Sequence, residues 1–106
     1  MYPAKFDYHR AKSIEEAESL CKGNADASFL AGGHSLIPAM KLRLSDPEAL
    51  VDISGIDDLK GISRDGDTIR IGALTTHTEV GTSDVVKDGC AALSEAAGMI
   101  GDPQVR

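Results

Sequence analysis

Residues 31–44 run Ala31-Gly32-Gly33-His34-Ser35-Leu36-Ile37-Pro38-Ala39-Met40-Lys41-Leu42-Arg43-Leu44. An apolar run, Phe29 to Ala31, ends at two glycines, and apolar residues with helical spacing follow Ser35. This order predicts a buried strand, a tight turn and a helix from Ser35 to Leu44 that ends before Pro47. Because backbone N–H groups at such a turn lack partners, the turn is a candidate seat for a phosphate group.

The N-terminal half of the chain places this turn between a helix and a second strand. Ser13-Ile14-Glu15-Glu16 matches a capping box and predicts a helix that ends at Gly23-Asn24. A short extended entry is expected at residues 6–10, and residues 49–53 predict a second buried strand. Two strands joined through a helix favour a parallel βαβ unit. The inner face of the first helix is expected to carry Ile14, Ala17, Leu20 and Cys21.

The C-terminal half predicts a hairpin followed by two helices. Asp65-Gly66, between Leu59–Ile62 and Thr68–Ile71, is typical of a hairpin turn. Thr76-His77-Thr78-Glu79 is a second capping box and opens a short helix. A helix of small residues is expected from Gly89 to Met99, with an inner face of Ala92, Leu93, Ala96 and Ile100. The predicted class is therefore α/β (α+β), with a small, mostly parallel sheet, a hairpin and flanking helices.

Composition and charge restrict the function. The 106 residues suffice for one small domain, and the net charge of -6 disfavours nucleic acid as a partner. No apolar run is long enough to span a membrane, and the first residues lack the apolar stretch of a signal peptide. Cys21 and Cys90 are far apart and form no Cys-x-x-Cys, which favours reduced thiols in a cytoplasmic protein. The spacing of Cys and His predicts no metal site.

The two glycines have a functional and a structural interpretation. Glycine lets the backbone approach a ligand and accept a positive φ, and Ser35 either caps the helix or turns its hydroxyl toward a phosphate oxygen. The alternative is an ordinary strand-to-helix turn, since the segment is neither a Walker loop nor a Gly-x-Gly-x-x-Gly fingerprint. His34 is a phosphate or ribose ligand, a solvated residue, or a covalent attachment point for a cofactor. Lys41 lies about 9 Å along the helix, so its charge would act on a bound phosphate from a distance rather than by direct contact.

Residues 71–77 form a second candidate site. Gly72 and Ala73 leave space beside a strand end, and Thr75 and Thr76 place hydroxyls at a helix start. The alternative is that Thr76 caps the helix and does nothing more. The sequence contains no arrangement typical of nucleophilic or acid–base catalysis, so no catalytic residue is predicted.

Four segments together resemble the FAD-binding medium subunit of molybdenum hydroxylases, the carbon monoxide dehydrogenase and xanthine dehydrogenase family. They are residues 13–17, Ala31-Gly32-Gly33-His34-Ser35-Leu36-Ile37-Pro38 with residues 40–44, residues 71–77, and Ala96-Ala97 with residues 100–106. Their order and spacing agree along nearly the whole chain. The resemblance implies that residues 1–106 are the N-terminal part of a PCMH-type FAD-binding domain. It implies that Ile100 lies near the flavin nucleotide. It also implies that six consecutive residues bind the FAD pyrophosphate: Ala31, Gly32, Gly33, His34, Ser35 and Leu36.

The resemblance also implies a function. Such subunits relay electrons through FAD to an external acceptor. The electrons come from a molybdenum cofactor on a large subunit, by way of iron–sulfur clusters on a small subunit, so both subunits are expected as partners. Within the family a second Gly-rich flavin loop would follow Arg106, so the chain is expected to lack that loop and the C-terminal domain. The chain alone is therefore expected to bind FAD weakly or not at all. The contacts made by the missing loop are lost, and each 1.4 kcal/mol of lost binding energy lowers the affinity tenfold.

Two other hypotheses stay open. A flavin oxidase of the vanillyl-alcohol or berberine-bridge type would bond its flavin covalently to His34, and the colour would stay with acid-precipitated protein. A non-enzymatic α/β domain would bind a partner and no flavin. Under the medium-subunit hypothesis, Gly33→Val is expected to abolish FAD binding by the complete subunit with the fold retained, because a β-branched side chain would occupy space that the phosphate needs.

Overall fold

The computed structural model describes residues 2–106, which form one compact unit ending at Asp57 and a second beginning at Asp58. The strands and helices confirm the predicted α/β class. In chain order they are β1 (Asp7–Arg10), α1 (Ile14–Lys22), β2 (Ala27–Leu30), α2 (Leu36–Lys41), β3 (Ala49–Asp52), a 3-10 helix (Asp57–Leu59), β4 (Ile62–Asp65), β5 (Thr68–Ile71), α3 (His77–Thr82), α4 (Asp84–Gly89) and α5 (Ala91–Gly98).

The first unit is built on a three-stranded parallel sheet in the order β1-β3-β2. The central strand is the most buried, because it has a neighbour on each side. The expected extended entry is thus a full member of the sheet, and the predicted parallel pairing of β2 with β3 is confirmed. Helix α1 packs on β3. The buried apolar residues of this unit are Ala11, Ala17, Met40, Ala49, Leu50, Val51 and Ile56.

Helix α1 begins at the predicted capping box, but the return bond to Glu16 comes from the Lys12 amide rather than from the Ser13 amide. The Ser13 side chain accepts a hydrogen bond from the Glu16 amide at 3.1 Å, and the Glu16 carboxylate accepts one from the Lys12 amide at 3.2 Å. Ala17 is buried, whereas Ile14 on the predicted inner face is 38% exposed. The face was therefore predicted correctly at its centre and wrongly at its first turn.

The second unit begins with the β4–β5 hairpin, shifted from its predicted position. The register pairs Asp65 with Thr68, so the turn residues are Gly66 and Asp67. The first arm is residues 62–65, and the expected arm at 59–62 is wrong. Gly66 has a φ of 60°, a conformation that glycine adopts without the usual steric cost, and this requirement sets the turn one residue later.

The three helices of the second unit enclose a small core of Val80, Val86 and Ala97, against which Ile62 and Ile69 pack. Helix α4, which the sequence analysis missed, begins where the Ser83 side chain accepts a hydrogen bond from the Val86 amide at 3.3 Å. On α5 the predicted inner face is wrong, because Ser94 and Ala97 are buried and Leu93 is 42% exposed. The Ser94 hydroxyl donates to the Gly81 carbonyl at 3.0 Å, so a hydrogen bond fixes this face. Within residues 2–106, none of the helices has the length and apolar character needed to cross a bilayer.

Candidate functional site

The glycine turn, residues 31–36, connects β2 to α2. Gly32 and Gly33 have φ values of 83° and 80°, a region that favours glycine, and the Ile37 amide donates to the Gly33 carbonyl at 2.9 Å. A Cβ added to Gly33 would lie 2.6 Å from Ile37 Cγ1, whereas one added to Gly32 would meet only His34 Cδ2, at 3.6 Å. Packing thus requires glycine at position 33, and only the backbone conformation favours it at position 32.

This geometry corrects the expected effect of Gly33→Val. Gly33 is buried, and the atom that its new Cβ would strike belongs to the stem of Ile37, which cannot simply swing away. The substitution therefore strains the start of α2, and the expectation that the fold is retained is wrong. Loss of FAD in that variant would not distinguish a damaged turn from a blocked phosphate, so Gly32 is the better position to test.

Helix α2 is shorter than predicted and starts without the expected cap. Ser35 has helical dihedral angles, and its side chain makes no capping hydrogen bond, so its hydroxyl is available at the turn. The helix ends at Lys41 because Arg43 adopts a φ of 61° and the chain folds back, with the Leu44 amide donating to the Ala39 carbonyl at 2.9 Å. The predicted extension to Leu44 is wrong for this reason.

Four consecutive backbone donors are open at the glycine turn. Among the described residues, none offers an acceptor to the N–H groups of Gly33, His34, Ser35 and Leu36. Since α2 has only six residues, its macrodipole is small, and the individual amides rather than the helix would attract an anion.

A concavity of about 310 Å³ lies at the glycine turn and brings five of the predicted site residues together. Phe29 also lines it, although the sequence analysis expected this residue to be buried. It is 51% exposed because β2 is an edge strand of the sheet. A short apolar run does not reveal whether its strand lies at the centre or the edge of a sheet. The lining residues are Phe29, Ala31, Gly33, His34, Ser35 and Leu36.

The second candidate, residues 71–77, is occupied by structural contacts. The Thr75 hydroxyl accepts from the Gly61 amide at 3.1 Å and donates to the Gly61 carbonyl at 3.0 Å. The Gly72 amide donates to the same carbonyl at 2.8 Å, and a Cβ added to Gly72 would lie 2.3 Å from the Leu59 carbonyl oxygen. Gly72 and Thr75 thus hold this segment against residues 59–61.

Two backbone donors in the first turn of α3 have partners outside the helix. Thr76 accepts a hydrogen bond from the Glu79 amide at 3.1 Å, and the Arg106 carbonyl accepts one from the Thr78 amide at 3.1 Å. Thr76 thus caps the helix as predicted, but the Glu79 carboxylate accepts from the Thr76 hydroxyl rather than from the Thr76 amide, so the capping box is only half formed.

Ile100, the remaining predicted site residue, lies in the second unit and is partly buried. It lines a mainly apolar cavity of about 430 Å³, together with residues of the 71–77 segment and of α5. Two of the segments that carry the family resemblance therefore meet at one cavity. Its lining residues are Ile71, Gly72, Ala73, Thr75, His77, Val80, Leu93, Ala96, Ala97 and Ile100.

One hydrogen-bonded pair with shifted pKa values lies where β3 runs beside the end of β2. Asp52 is in register with Leu30, the last residue of β2, and its carboxylate accepts a hydrogen bond from the Tyr8 hydroxyl. This bond holds the pKa of Asp52 below its usual value and raises the pKa of Tyr8. Because side chains alternate along a strand, Asp52 and Phe29 lie on opposite faces of the sheet.

Other groups in the described residues offer little for chemistry. Cys21 is half-buried and Cys90 is exposed, and both are free thiols. Between Tyr2 and Arg106, no three His, Cys, Asp or Glu side chains are grouped so that they could hold a metal ion.

A family model described as the FAD binding domain in molybdopterin dehydrogenase matches residues 4–106. The chain belongs to this family. FAD is therefore the cofactor of the domain, and the resemblance drawn from the four segments is confirmed.

Relatives within the family are similar along the whole chain. It is 48% identical to the carbon monoxide dehydrogenase medium chain of Hydrogenophaga pseudoflava over 107 residues, covering 100% of this chain and 37% of that one. It is 44% identical to the 6-hydroxypseudooxynicotine dehydrogenase complex subunit alpha of Paenarthrobacter nicotinovorans, covering 100% of this chain and 36% of the relative.

Solved structures of the family have the same fold. The H. pseudoflava carbon monoxide dehydrogenase that lacks the Mo-pyranopterin moiety matches with a TM-score of 0.94 at 48% identity, over 100% of this chain and 37% of that one. Quinoline 2-oxidoreductase from Pseudomonas putida 86 matches with a TM-score of 0.92 at 28% identity, over 99% and 37%. The chain spans 37% of the length of each of these two chains.

Proposed function

We propose that this chain is the FAD-binding electron-transfer part of a multisubunit molybdenum-dependent oxidoreductase. In this proposal, iron–sulfur clusters on a small subunit deliver electrons that originate at a molybdenum-binding large subunit, and the flavin passes them to an external acceptor. The observation that carries the proposal is the open glycine turn, found within a chain that matches an FAD-binding family from residue 4 to residue 106.

The glycine turn suits a pyrophosphate. Its four open N–H groups, from Gly33 to Leu36, supply donors at consecutive positions, and the Ser35 hydroxyl is not used by the helix. Gly32 has no side chain to obstruct the approach of a ligand to the backbone. Ala31 and His34 complete the wall of the concavity. We assign all six residues, Ala31 to Leu36, to the pyrophosphate of FAD.

The chain's own residues bind and orient the cofactor and perform no chemistry on a substrate. When bound, FAD supplies an isoalloxazine ring that accepts and releases electrons. Ile100 is assigned to the flavin nucleotide, on the basis of the family resemblance and its place in an apolar cavity. The absence of a predicted catalytic residue agrees with this role, since the substrate would be oxidised on the large subunit. A location in the cytoplasm remains part of the proposal.

The flavin oxidase hypothesis makes a distinct prediction at His34. This residue is exposed and lines the same concavity as the open amides, so it is within the proposed site. The matching family is that of molybdopterin dehydrogenases and not of flavin oxidases, which favours the first proposal. Acid precipitation tests this directly: yellow colour is expected in the supernatant, and colour in the pellet that disappears in His34→Ala would support the oxidase.

Gly32→Ala tests the pyrophosphate assignment, with Gly66→Ala as its matched control. Both glycines have a positive φ, and an added Cβ makes no close contact at either position. Each substitution should therefore cost about 1 kcal/mol in backbone strain, but only Gly32→Ala adds a methyl group beside the open amides. We expect FAD affinity of the deflavinated native complex, measured by fluorescence titration, to fall at least tenfold for Gly32→Ala alone.

Two results would contradict the proposal. Equal FAD affinity in the Gly32 and Gly66 variants would remove the glycine turn from the cofactor site. A native complex without molybdenum and iron in elemental analysis, or without flavin, would remove the electron-transfer role itself.

A further inference from the structure

Phe29 is an exposed aromatic residue beside open backbone donors. It follows Ser28 on β2 and is paired in register with Val51, which is fully buried. The Phe29 side chain is nevertheless 51% exposed and forms one wall of the concavity at the glycine turn. Aromatic residues make up only 4% of the chain, so a phenyl ring at this position is a distinctive feature of the site.

The position of Phe29 relates it to the ligand of the turn. A dinucleotide whose pyrophosphate lies on the amides of residues 33–36 extends a planar ring system from each end. The phenyl group offers an apolar, flat surface within the same concavity. Planar rings stack on aromatic side chains, and such contacts weaken binding measurably when they are removed.

We propose that Phe29 is a cofactor-binding residue that packs against one planar ring of FAD, either the adenine or the isoalloxazine. This inference rests on the proposed function, because it needs the pyrophosphate to lie on the glycine turn. It adds a contact that the sequence analysis did not assign.

Three variants in the native complex test the proposal. Phe29→Ala removes the ring, Phe29→Leu keeps apolar volume without the ring, and Phe29→Tyr keeps the ring. Leu42→Ala is the matched control, because Leu42 belongs to the same unit and is 57% exposed but does not line the concavity. Each complex is deflavinated and titrated with FAD and, separately, with FMN, while thermal unfolding of the apo form monitors the fold.

We expect Phe29→Ala to bind FAD about 5- to 100-fold more weakly than wild type, from the usual strength of a stacked ring. The FAD affinity of Phe29→Leu should lie between those of Phe29→Ala and wild type. Phe29→Tyr and Leu42→Ala should bind FAD like wild type. If FMN binding is unchanged in Phe29→Ala, the ring is the adenine. If FMN binding falls with that of FAD, the ring is the isoalloxazine.

The proposal is overturned if Phe29→Ala and Phe29→Leu bind FAD within twofold of wild type, or if Leu42→Ala weakens FAD as much as they do. Failure of the proposed function gives a different result, since Gly32→Ala would then bind FAD as well as Gly66→Ala does.

Discussion

Two of the helix starts that follow strands in this chain have similar sequences and contrasting hydrogen bonding. Both place glycine and hydroxyl-bearing residues between an apolar strand and a helix: Gly32 to Ser35 before α2, and Gly72 to Thr76 before α3. At the first, the backbone donors are open and Ser35 makes no capping bond. At the second, Thr75 and Thr76 are hydrogen-bonded within the chain, and a carbonyl accepts from the Thr78 amide.

The difference lies in which groups reach the helix start. In the second unit, residues 59–61 and the carbonyl of Arg106 supply partners to the Thr75 hydroxyl and to the Gly72, Leu74 and Thr78 amides. No such segment reaches the glycine turn within residues 2–106. Because residues 31, 32, 34 and 35 are exposed, the open donors of this turn can bind a ligand, as the proposed function requires.

Gly72→Ala should produce the largest effect on stability. It tests whether the second helix start is purely structural. The new Cβ would lie 2.3 Å from the Leu59 carbonyl oxygen, a backbone atom that no side-chain rotation can move. We expect a loss of about 3 kcal/mol in the free energy of unfolding, measured by chemical denaturation.

Gly98→Ala is the control for that experiment, since a Cβ there would meet nothing within 4 Å. Its stability should stay within about 0.5 kcal/mol of wild type or increase slightly, because alanine is the better helix former. A Gly72→Ala protein as stable as this control would show that residues 59–61 do not hold the segment.

The sequence specified the local structures that depend on neighbouring residues. The helix caps at Ser13 and Thr76 and the need for glycine at position 66 follow from hydrogen bonds and dihedral angles within a few residues. The glycine turn was likewise located correctly, since its strand, its two positive φ values and its helix are all local.

Contacts between distant segments were not predictable in the same way. Phe29 was expected to be buried because its short apolar run does not reveal that β2 is an edge strand. The inner face of α5 was wrong because the Ser94 hydroxyl bonds to Gly81, on another helix. The role of Thr75 was unassigned because Gly61 is its partner only in the folded chain.

A pair of hydroxyl deletions should separate the two helix starts by their effects. Thr76→Ala removes a cap bond and should cost about 1 kcal/mol of stability while leaving FAD affinity unchanged. Ser35→Ala removes no capping hydrogen bond within residues 2–106, so stability should change by less than about 0.5 kcal/mol. If the Ser35 hydroxyl binds the pyrophosphate, FAD affinity should fall about tenfold, as for a hydrogen bond to a charged group.

Chemical denaturation and FAD titration of both variants provide the measurements. The comparison fails if Ser35→Ala is the less stable of the two, or if Thr76→Ala is the one that loses FAD.

The smallest expected effect concerns the sheet that carries the glycine turn. The hydrogen bond from the Tyr8 hydroxyl to Asp52 joins β1 to β3 beside the end of β2. It lowers the pKa of Asp52 from 3.8, so the stability that this carboxylate contributes is present above pH 3.8 and is lost as the pH falls through the lowered value. It raises the pKa of Tyr8 from 10.0, so the phenol's contribution is present below pH 10 and is lost as the pH rises through the raised value.

Tyr8→Phe should therefore reduce stability by a small and constant amount between about pH 5 and pH 9, with the difference from wild type shrinking at both extremes. Denaturation curves of the two proteins across this range measure that difference. Because Asp52 lies on the sheet face opposite Phe29, FAD affinity at neutral pH should not change. A change in FAD affinity would mean that the Asp52 charge acts on the pyrophosphate through the end of β2, and that the open turn depends electrostatically on the sheet beneath it.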